Sequence, residues 1–218
     1  LRKVAWSLDS HNQWPLEIQC QQFFDTYYTA HSPYMEKFEP GKAKWLPCAL
    51  QFDGSRRDIL EILASRPPKS VDVVSMYRDY VSDGDRTGAV WPCWQVMQQM
   101  GLKVLLGQTD QTRPDGIRRY YEALLAGRVI LNLSIKDDLN MRTLEALALN
   151  QVMVANRVPD HAKLDLDYRN VVFFDKGDMA GFSRALQEAL AKAKQPVKST
   201  VASVLNAHTL IHRFVTMI

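Results

Sequence analysis

Apolar and polar residues alternate along most of this chain in the pattern of short strands separated by amphipathic helices. Apolar runs predict strands at 71–76, 103–106, 129–133, 152–155 and 170–174. Apolar residues at helical spacing predict helices at 91–100, 116–126, 141–149 and 178–194. Strands that alternate with helices imply a parallel sheet with helices on both faces, so the predicted fold class is α/β with a Rossmann-like sheet.

The first quarter of the chain predicts only part of a second Rossmann-like domain. Residues 1–55 form this partial domain, 56–70 a linker that contains the breaker Arg66-Pro67-Pro68, and 71–195 the second domain. A piece with about two strands and two helices leaves a strand edge uncovered. Because the chain also begins at Leu1 rather than Met, we expect a preceding N-terminal region, a partner chain or a naturally shortened protein.

A polar loop follows the predicted strand at 129–133 and opens the next helix, for which Asn140 is a good N-cap. Free N–H groups and the helix dipole favour negative charge there, so this helix end can bind a diphosphate. The backbone amides concerned are those of Leu139, Asn140, Met141 and Arg142. Further along, the Glu145 carboxylate can accept hydrogen bonds from two ribose hydroxyls. The alternative is an ordinary strand–helix–strand crossover whose acidic residues face water.

The same segment resembles the donor-binding domain of GT-B glycosyltransferases, especially the CgeB-like group. The family pattern is an acid, seven residues and a glutamate, continuing as Glu-Ala-x-Ala-Cys-Gly. Here the acid is Asp137 and the continuation is Glu145-Ala146-Leu147-Ala148-Leu149-Asn150. Asn140, Arg142 and the run Asn156-Arg157-Val158-Pro159 also resemble this group. The chain departs from the pattern in having Asp rather than Glu first, and Asn150 in place of the glycine.

A weaker resemblance covers residues 3–50. The run Lys3 to His11, KVAWSLDSH, is similar to a strand and an Asp-Ser-His turn in the acceptor-side domain of the family. The resemblance implies that His11 faces the cleft, where it bonds the transferred sugar or shuttles a proton, and that Asp9 orients it or acts as a base. The alternative is a turn in which Asp9 and Ser10 bond the backbone.

The resemblance implies a glycosyltransferase that takes its sugar from a nucleotide-sugar donor, with a UDP-sugar expected, and passes it to an unknown acceptor. It also implies retention of anomeric configuration, no metal ion and no cofactor. Asp137 would face the sugar or order the loop, Glu145 would hold the donor ribose, and Arg78 or Arg86 would neutralise the diphosphate. Arg142 would bind phosphate or pair with an acid. Residues 196–218 would form a terminal helix that packs back toward the first domain.

Composition is consistent with the expected glycosyltransferase and adds little to that expectation. The chain has 218 residues, 46% of them hydrophobic and 23% charged, with a net charge of +3, which permits one or two compact units with real cores. Three cysteines without metal spacing predict reduced thiols and a cytoplasmic location. No apolar run approaches the roughly 20 residues of a membrane helix.

Several alternatives remain open from the sequence. The chain is either an enzyme or a non-catalytic nucleotide-sugar-binding or scaffold subunit. The basic residues are scattered, which disfavours nucleic-acid binding, although mild basicity leaves a glycosyltransferase that acts on modified DNA as a third reading. His208 and His212 have a spacing that can bind metal, but packing is the expected role. The aromatic residues Trp91, Trp94, Tyr120 and Tyr121 are expected in the core.

Overall fold

The structure, a computed structural model, describes residues 2–8, 10–50, 57–77, 84–108, 115–134 and 136–218. Within these ranges the side chains of residues 10–12, 57–60, 84–87 and 108 are outside the description.

The first unit is a three-stranded parallel sheet in the order β1-β2-β3. Its strands are β1 (Val4–Ser7), β2 (Thr26–Thr29) and β3 (Ala43–Trp45), and short 3-10 helices lie at Gln21–Phe23 and Ser32–Lys37. Helix α1 (Ser10–Cys20) follows β1. The turn predicted at Asp9-Ser10-His11 does not include Ser10 and His11, because the chain is already helical there, and Asp9 lies outside the described residues. Serine favours helix N-termini as well as turns, so the same residues suit both structures.

The second unit is a five-stranded parallel sheet in which the order of strands reverses once. It contains β4 (Val71–Tyr77), β5 (Val104–Gln108), β6 (Gly127–Asn132), β7 (Val152–Asn156) and β8 (Val171–Phe174). The spatial order is β5-β4-β6-β7-β8. The reversal lies between β4 and β6, and in open α/β sheets ligands bind at the carboxyl ends of the strands beside such a point.

Helices cover both faces of this sheet, as the sequence predicts. One face carries α3 (Gly84–Gln99) and α6 (Met179–Lys192), which pack against each other. The opposite face carries α2 (Arg57–Ser65), α4 (Gly116–Ala126), α5 (Met141–Ala148) and α7 (Val201–Leu205). Each face has its own buried apolar cluster, so the sheet is sandwiched between two hydrophobic layers.

Helix α3 differs from its prediction in extent and in exposure. It begins at Gly84 rather than at Trp91, so Pro92 lies inside the helix and not in its first turn. Trp91, expected in the core, is 55% exposed. It lies on the outward side of α3 and stacks on Trp94, with 4.8 Å between the ring centroids. The other two aromatic residues of that prediction, Tyr120 and Tyr121, are buried as expected.

The predicted single terminal helix is instead two helices, α7 and α8 (Leu210–Met217). The break falls where the His208 carbonyl accepts a hydrogen bond from the Leu50 N–H at 2.8 Å, with Leu50 and Thr209 forming a parallel β-bridge. The hydrogen bond from Leu50 of the first unit thus occupies the His208 carbonyl, which would bond within the helix if α7 and α8 were continuous. Beyond the break, Met217 packs on Tyr28 and Leu46 of the first unit.

Asn150 ends the α5 segment in the left-handed conformation, with φ of 55°, as its residue type predicts. Its Oδ1 accepts hydrogen bonds from Asn170 Nδ2 at 3.3 Å and from the Thr200 N–H at 3.2 Å. The asparagine that stands in place of the family glycine therefore joins α5 to the segment that leads into α7.

Replacing Asn150 with glycine is expected to lower the free energy of unfolding by about 1 kcal/mol, because the loss of two hydrogen bonds outweighs the relief of left-handed strain. Urea unfolding followed by circular dichroism measures the change. Asp137→Gly is the matched control, since Asp137 also has a positive φ, 57°, but its side chain is exposed. Equal stability of the Asn150→Gly variant and the wild type would contradict the linking role of this side chain.

Candidate active site

The candidate site lies where β4 and β6 end, at the reversal of strand order. β6 ends at Asn132, whose side chain is fully buried, and the loop 133–140 leads from it into α5. The amino end of α5 and the carboxyl ends of two adjacent strands therefore share one edge of the sheet. This is the arrangement in which a helix N-terminus binds an anionic group.

The loop before α5 contains two consecutive residues in the left-handed conformation, Lys136 with φ of 50° and Asp137 with φ of 57°. Such conformations cost about 1–3 kcal/mol each for most non-glycine residues and occur at functional sites. The Asp137 side chain is exposed, whereas the next acid, Asp138, is 4% exposed. The loop also meets the first unit, where the Tyr34 hydroxyl donates to the Lys136 carbonyl at 3.4 Å.

Asn140 occupies the N-cap position of α5, as predicted, but its side chain does not cap the helix. Its Nδ2 instead donates to Ser134 Oγ at 3.4 Å. Ser134 is itself held by Asn156 at the end of β7, which accepts from the Ser134 N–H at 2.7 Å and donates to its carbonyl at 3.1 Å. Two asparagines thus fix the start of the loop and leave the helix N-terminus without a side-chain cap.

Arg142 lies in the first turn of α5 and points back to the end of β6. Its Nη1 donates to Asn132 Oδ1 at 3.3 Å, and Asn132 Nδ2 donates to Thr143 Oγ1 at 3.0 Å. The Arg142 Nε atom is buried and has no hydrogen-bond partner among the described residues. A guanidinium with an unused donor, beside an uncapped helix N-terminus, suits an anion with several oxygens.

Glu145 on α5 is buried, with 8% of its surface exposed, and its carboxylate meets α4. The hydroxyls of Tyr120 and Tyr121 on α4 both donate to its carboxylate, Tyr121 at 3.2 Å from Oε1. Burial raises the pKa of Glu145, while the hydrogen bond from Tyr120 and the charge of Arg142 act in the opposite direction. Asn132, Arg142, Glu145 and the two tyrosines form a polar network inside an apolar layer.

A cavity of about 340 Å³ opens at the carboxyl ends of β6, β7 and β8. Its polar lining includes Ser134 and Asn156 of the asparagine-held loop, together with Lys176. The apolar lining comes from α3, β8, α6 and the residue that follows β6: Ala89, Pro92, Cys93, Leu133, Phe174 and Met179. The volume falls in the range of about 300–1,000 Å³ that is usual for small-molecule sites. This cavity and the α5 terminus adjoin through Ser134.

The remaining residues of the sequence-based site prediction are not tested by the structure. Asp9 and Arg78 lie outside the described residues. His11 lies in the first turn of α1 and Arg86 in the first turn of α3, but their side chains are outside the description. The roles predicted for these four residues stay predictions.

Sequence reasoning missed the side chains that hold the site together. It did not predict the hydrogen bonds from Tyr120 and Tyr121 to Glu145, the role of Asn132 at the end of β6, or the pairing of Ser134 with Asn156. Asn132 and Asn156 carry the detectable signal, because each is a polar residue at the carboxyl end of an otherwise apolar strand. Both are at most 2% exposed and fully engaged in hydrogen bonds.

The carboxyl edges of the two sheets face each other through a polar contact. Asp160, which follows β7 and is fully buried, accepts from the Ser32 N–H at 3.1 Å and from the Ser32 hydroxyl. Lys163 pairs with Asp160 at 3.7 Å and lies over the Trp45 ring at the end of β3. The carboxyl edge of the second sheet is therefore bonded directly to the first unit.

Two parallel Rossmann-like units whose carboxyl edges meet across a cleft define the GT-B class of fold. Residues 87–218 match the model of a family described as glycosyl transferase-like. This match covers more than half of the chain, which therefore belongs to the glycosyl transferase-like family. The match does not specify the CgeB-like group, which stays a prediction. No curated protein matches the chain.

Solved structures show the same fold at low sequence identity. Sucrose-phosphate synthase from Thermosynechococcus elongatus superposes with a TM-score of 0.64 at 15% identity, over 98% of this chain and 65% of that one. HepE from Anabaena, in complex with UDP and glucose, gives 0.65 at 12% identity, over 98% and 69%. TarM gives 0.62 at 7% identity, over 94% and 45%. The chain thus spans about two thirds or less of the length of these proteins.

Two further observations concern metal and membrane. Within the described ranges, no group of three or more His, Cys, Asp and Glu residues is placed to hold a metal ion. His208 Nδ1 contacts Arg213 and His212 Nδ1 contacts Thr209, in keeping with the packing role expected for this pair. Among the helices described, none has both the length and the apolar character that crossing a membrane requires.

Proposed function

We propose that this protein transfers a sugar from a nucleotide-sugar donor to an acceptor hydroxyl, and that the donor binds at the carboxyl edge between β4 and β6. The uncapped N-terminus of α5 beside the Arg142 guanidinium is the observation that carries the proposal. Both are donors aimed at one edge, and a diphosphate leaving group gains negative charge as the sugar departs. Family membership and the GT-B fold support this assignment.

The donor ribose is assigned to Glu145. A carboxylate offers roughly four lone-pair positions, of which the tyrosine hydroxyls take two, so ribose hydroxyls have acceptors left. The tyrosines would orient the carboxylate in addition to packing. The sugar is assigned to the neighbourhood of Asp137, whose exposed side chain lies at the top of the strained loop. A UDP-sugar is the proposed donor, supported by the UDP and glucose found in HepE.

Retention of the anomeric configuration and catalysis without a metal ion complete the proposal, on the resemblance described above. The leaving diphosphate would then be stabilised by Arg142, by the helix end and by basic residues that follow β4. The cytoplasmic location expected from the cysteine content stays a prediction.

Titration calorimetry with UDP, GDP and their sugar conjugates tests the donor site. Arg142→Met is expected to weaken binding of the matching nucleotide by about 10- to 100-fold, because a charge-assisted hydrogen bond to phosphate is lost. Arg184→Met is the control, since Arg184 is 72% exposed on α6, away from the α5 terminus. Unchanged affinity in the Arg142→Met variant, or binding of no nucleotide by the wild-type chain, would overturn the proposed site.

A non-catalytic donor-binding subunit is the second candidate. The departures from the family pattern at Asp137 and Asn150 favour it. Slow hydrolysis of a nucleotide sugar by the purified 218-residue chain would decide for the enzyme. Tight nucleotide binding without any turnover would decide for the subunit.

A further inference from the structure

Asn132 is a fully buried polar side chain at the carboxyl end of β6, an otherwise apolar strand. Its amide links the strand to the first turn of α5. Oδ1 accepts from Arg142 Nη1 at 3.3 Å, and Nδ2 donates to Thr143 Oγ1 at 3.0 Å. These partners determine which way the amide faces, because a guanidinium can only donate hydrogen bonds. The atom that accepts from Arg142 is therefore held in place by the rest of the amide.

Arg142 is not neutralised by an acidic partner. Within the part of the chain that the structure describes, it forms no ion pair. Its contacts are hydrogen bonds to the neutral Asn132 amide and to the Tyr120 hydroxyl. A guanidinium has several N–H donors, so these contacts leave others for a ligand, among them the buried Nε atom. An aspartate at position 132 would orient the same guanidinium but would also cancel its charge.

We propose that Asn132 is a positioning residue, which acts on the donor diphosphate through Arg142. The neutral amide fixes the direction of a long, flexible side chain and leaves the attraction of its charge for phosphate intact. Ordering Arg142 in advance removes part of the conformational entropy that the side chain would otherwise lose when the donor binds. This role rests on the proposed function, because it requires a diphosphate at the amino end of α5.

A double-mutant cycle tests whether Asn132 acts through Arg142. Titration calorimetry on the full chain measures the affinity for UDP, with GDP in parallel. Asn132→Leu keeps the approximate shape without hydrogen-bonding groups and is expected to weaken UDP binding about tenfold, as for the cost of ordering one long side chain. In an Arg142→Met background the same substitution is expected to have no further effect, since no guanidinium is left to orient. A purely structural role would weaken binding equally in both backgrounds.

Two further variants separate orientation from charge and from stability. Asn132→Asp keeps an acceptor for Arg142, and its carboxylate is expected to pair with the guanidinium and weaken UDP binding about tenfold or more. Ser75→Ala is the matched control, because Ser75 is a buried residue of β4 whose hydroxyl donates to the Leu131 carbonyl at 3.0 Å. It removes a buried hydrogen bond beside Asn132 without touching Arg142, so UDP affinity is expected to stay within about twofold of the wild type.

The positioning role is overturned if the folded Asn132→Leu and Asn132→Asp variants bind UDP as tightly as the wild type does. It is also overturned if the effect of Asn132→Leu persists undiminished in the Arg142→Met background, or if Ser75→Ala weakens binding as much as Asn132→Leu. Circular dichroism verifies folding. Should Asn132→Leu not fold, Asn132→Asp decides alone, since lost affinity supports the role and unchanged affinity overturns it.

Failure of the proposed donor site gives a different result. In that case the Arg142→Met variant binds UDP as tightly as the wild type, or the wild-type chain binds neither nucleotide. Weaker binding in the Arg142→Met variant, together with wild-type affinity in both Asn132 variants, retains the donor site and overturns the positioning role alone.

Discussion

Replacing Glu145 with alanine is expected to lower the free energy of unfolding by about 3 kcal/mol, because two buried tyrosine hydroxyls lose their acceptor at about 1–3 kcal/mol each. Removal of a buried carboxylate whose pKa is raised by burial offsets part of this loss. The sequence alone suggests that the same substitution would leave the fold intact and remove only donor binding. Because the side chain is buried, we expect the substitution to lower stability as well as donor binding. Urea unfolding measures the loss of stability.

Glu145→Gln separates stability from donor binding. The amide keeps an acceptor oxygen and the shape of the side chain, so the expected change in unfolding free energy is within about 1 kcal/mol. Weaker nucleotide binding in this folded variant would then support the ribose role of Glu145. An alanine variant as stable as the wild type would contradict the importance of the tyrosine contacts.

Replacing Arg213 with methionine is expected to lower the free energy of unfolding by about 4 kcal/mol, because several buried acceptors lose their donor at about 1–3 kcal/mol each. Arg213 on α8 is 6% exposed, and burial lowers its pKa. Its guanidinium donates to the carbonyls of Pro47 at 2.8 Å, Cys48 at 3.1 Å and Ala207 at 3.0 Å, and contacts His208 Nδ1 at 2.8 Å. Urea unfolding measures the loss, and hydrogen exchange locates it.

The exchange measurement gives the sharper test. Faster exchange is expected throughout α8 and at the Leu50 N–H, because Arg213 holds α8 on the first unit. Arg184→Met serves again as the control, with an expected change within about 0.5 kcal/mol for an exposed side chain. If Arg213→Met leaves the hydrogen-exchange protection of α8 unchanged, apolar packing of Met217 is sufficient to hold the helix on the first unit, and the prediction is contradicted.

Local signals predict most of the second unit. Helix α4 was predicted and observed at the same residues, because glycines bound it at Gly116 and Gly127 and its apolar spacing is regular. The sequence does not predict the start of α3, because residues 84–87 are one glycine and three polar residues without apolar spacing. The break between α7 and α8 could not be predicted, because its cause is a hydrogen bond from Leu50, which is distant in sequence.

In the candidate site too, local sequence predicts some features, whereas contacts between residues distant in sequence determine the others. The position of Asn140 at the start of α5 and the left-handed conformation of Asn150 follow from residue type. Burial of Glu145 could also have been predicted, because it follows Met141 by four residues and precedes Ala148 by three on the apolar side of the helix. Its tyrosine partners could not, since they lie 24 and 25 residues earlier on another helix. Only the fold brings them together.

The bridge between Leu50 and Thr209 has a consequence for motion in the molecule. Leu50, the last residue of the first unit before the undescribed residues 51–56, lies beside Thr209, where the chain comes back to that unit. A connection at one place, with the Ser32–Asp160 contact at another, leaves rotation about an axis near the bridge as the easiest relative movement. Such a rotation would separate Ser32 from Asp160 and Tyr34 from Lys136 while Leu50 and Thr209 stay paired, so the units would open without coming apart.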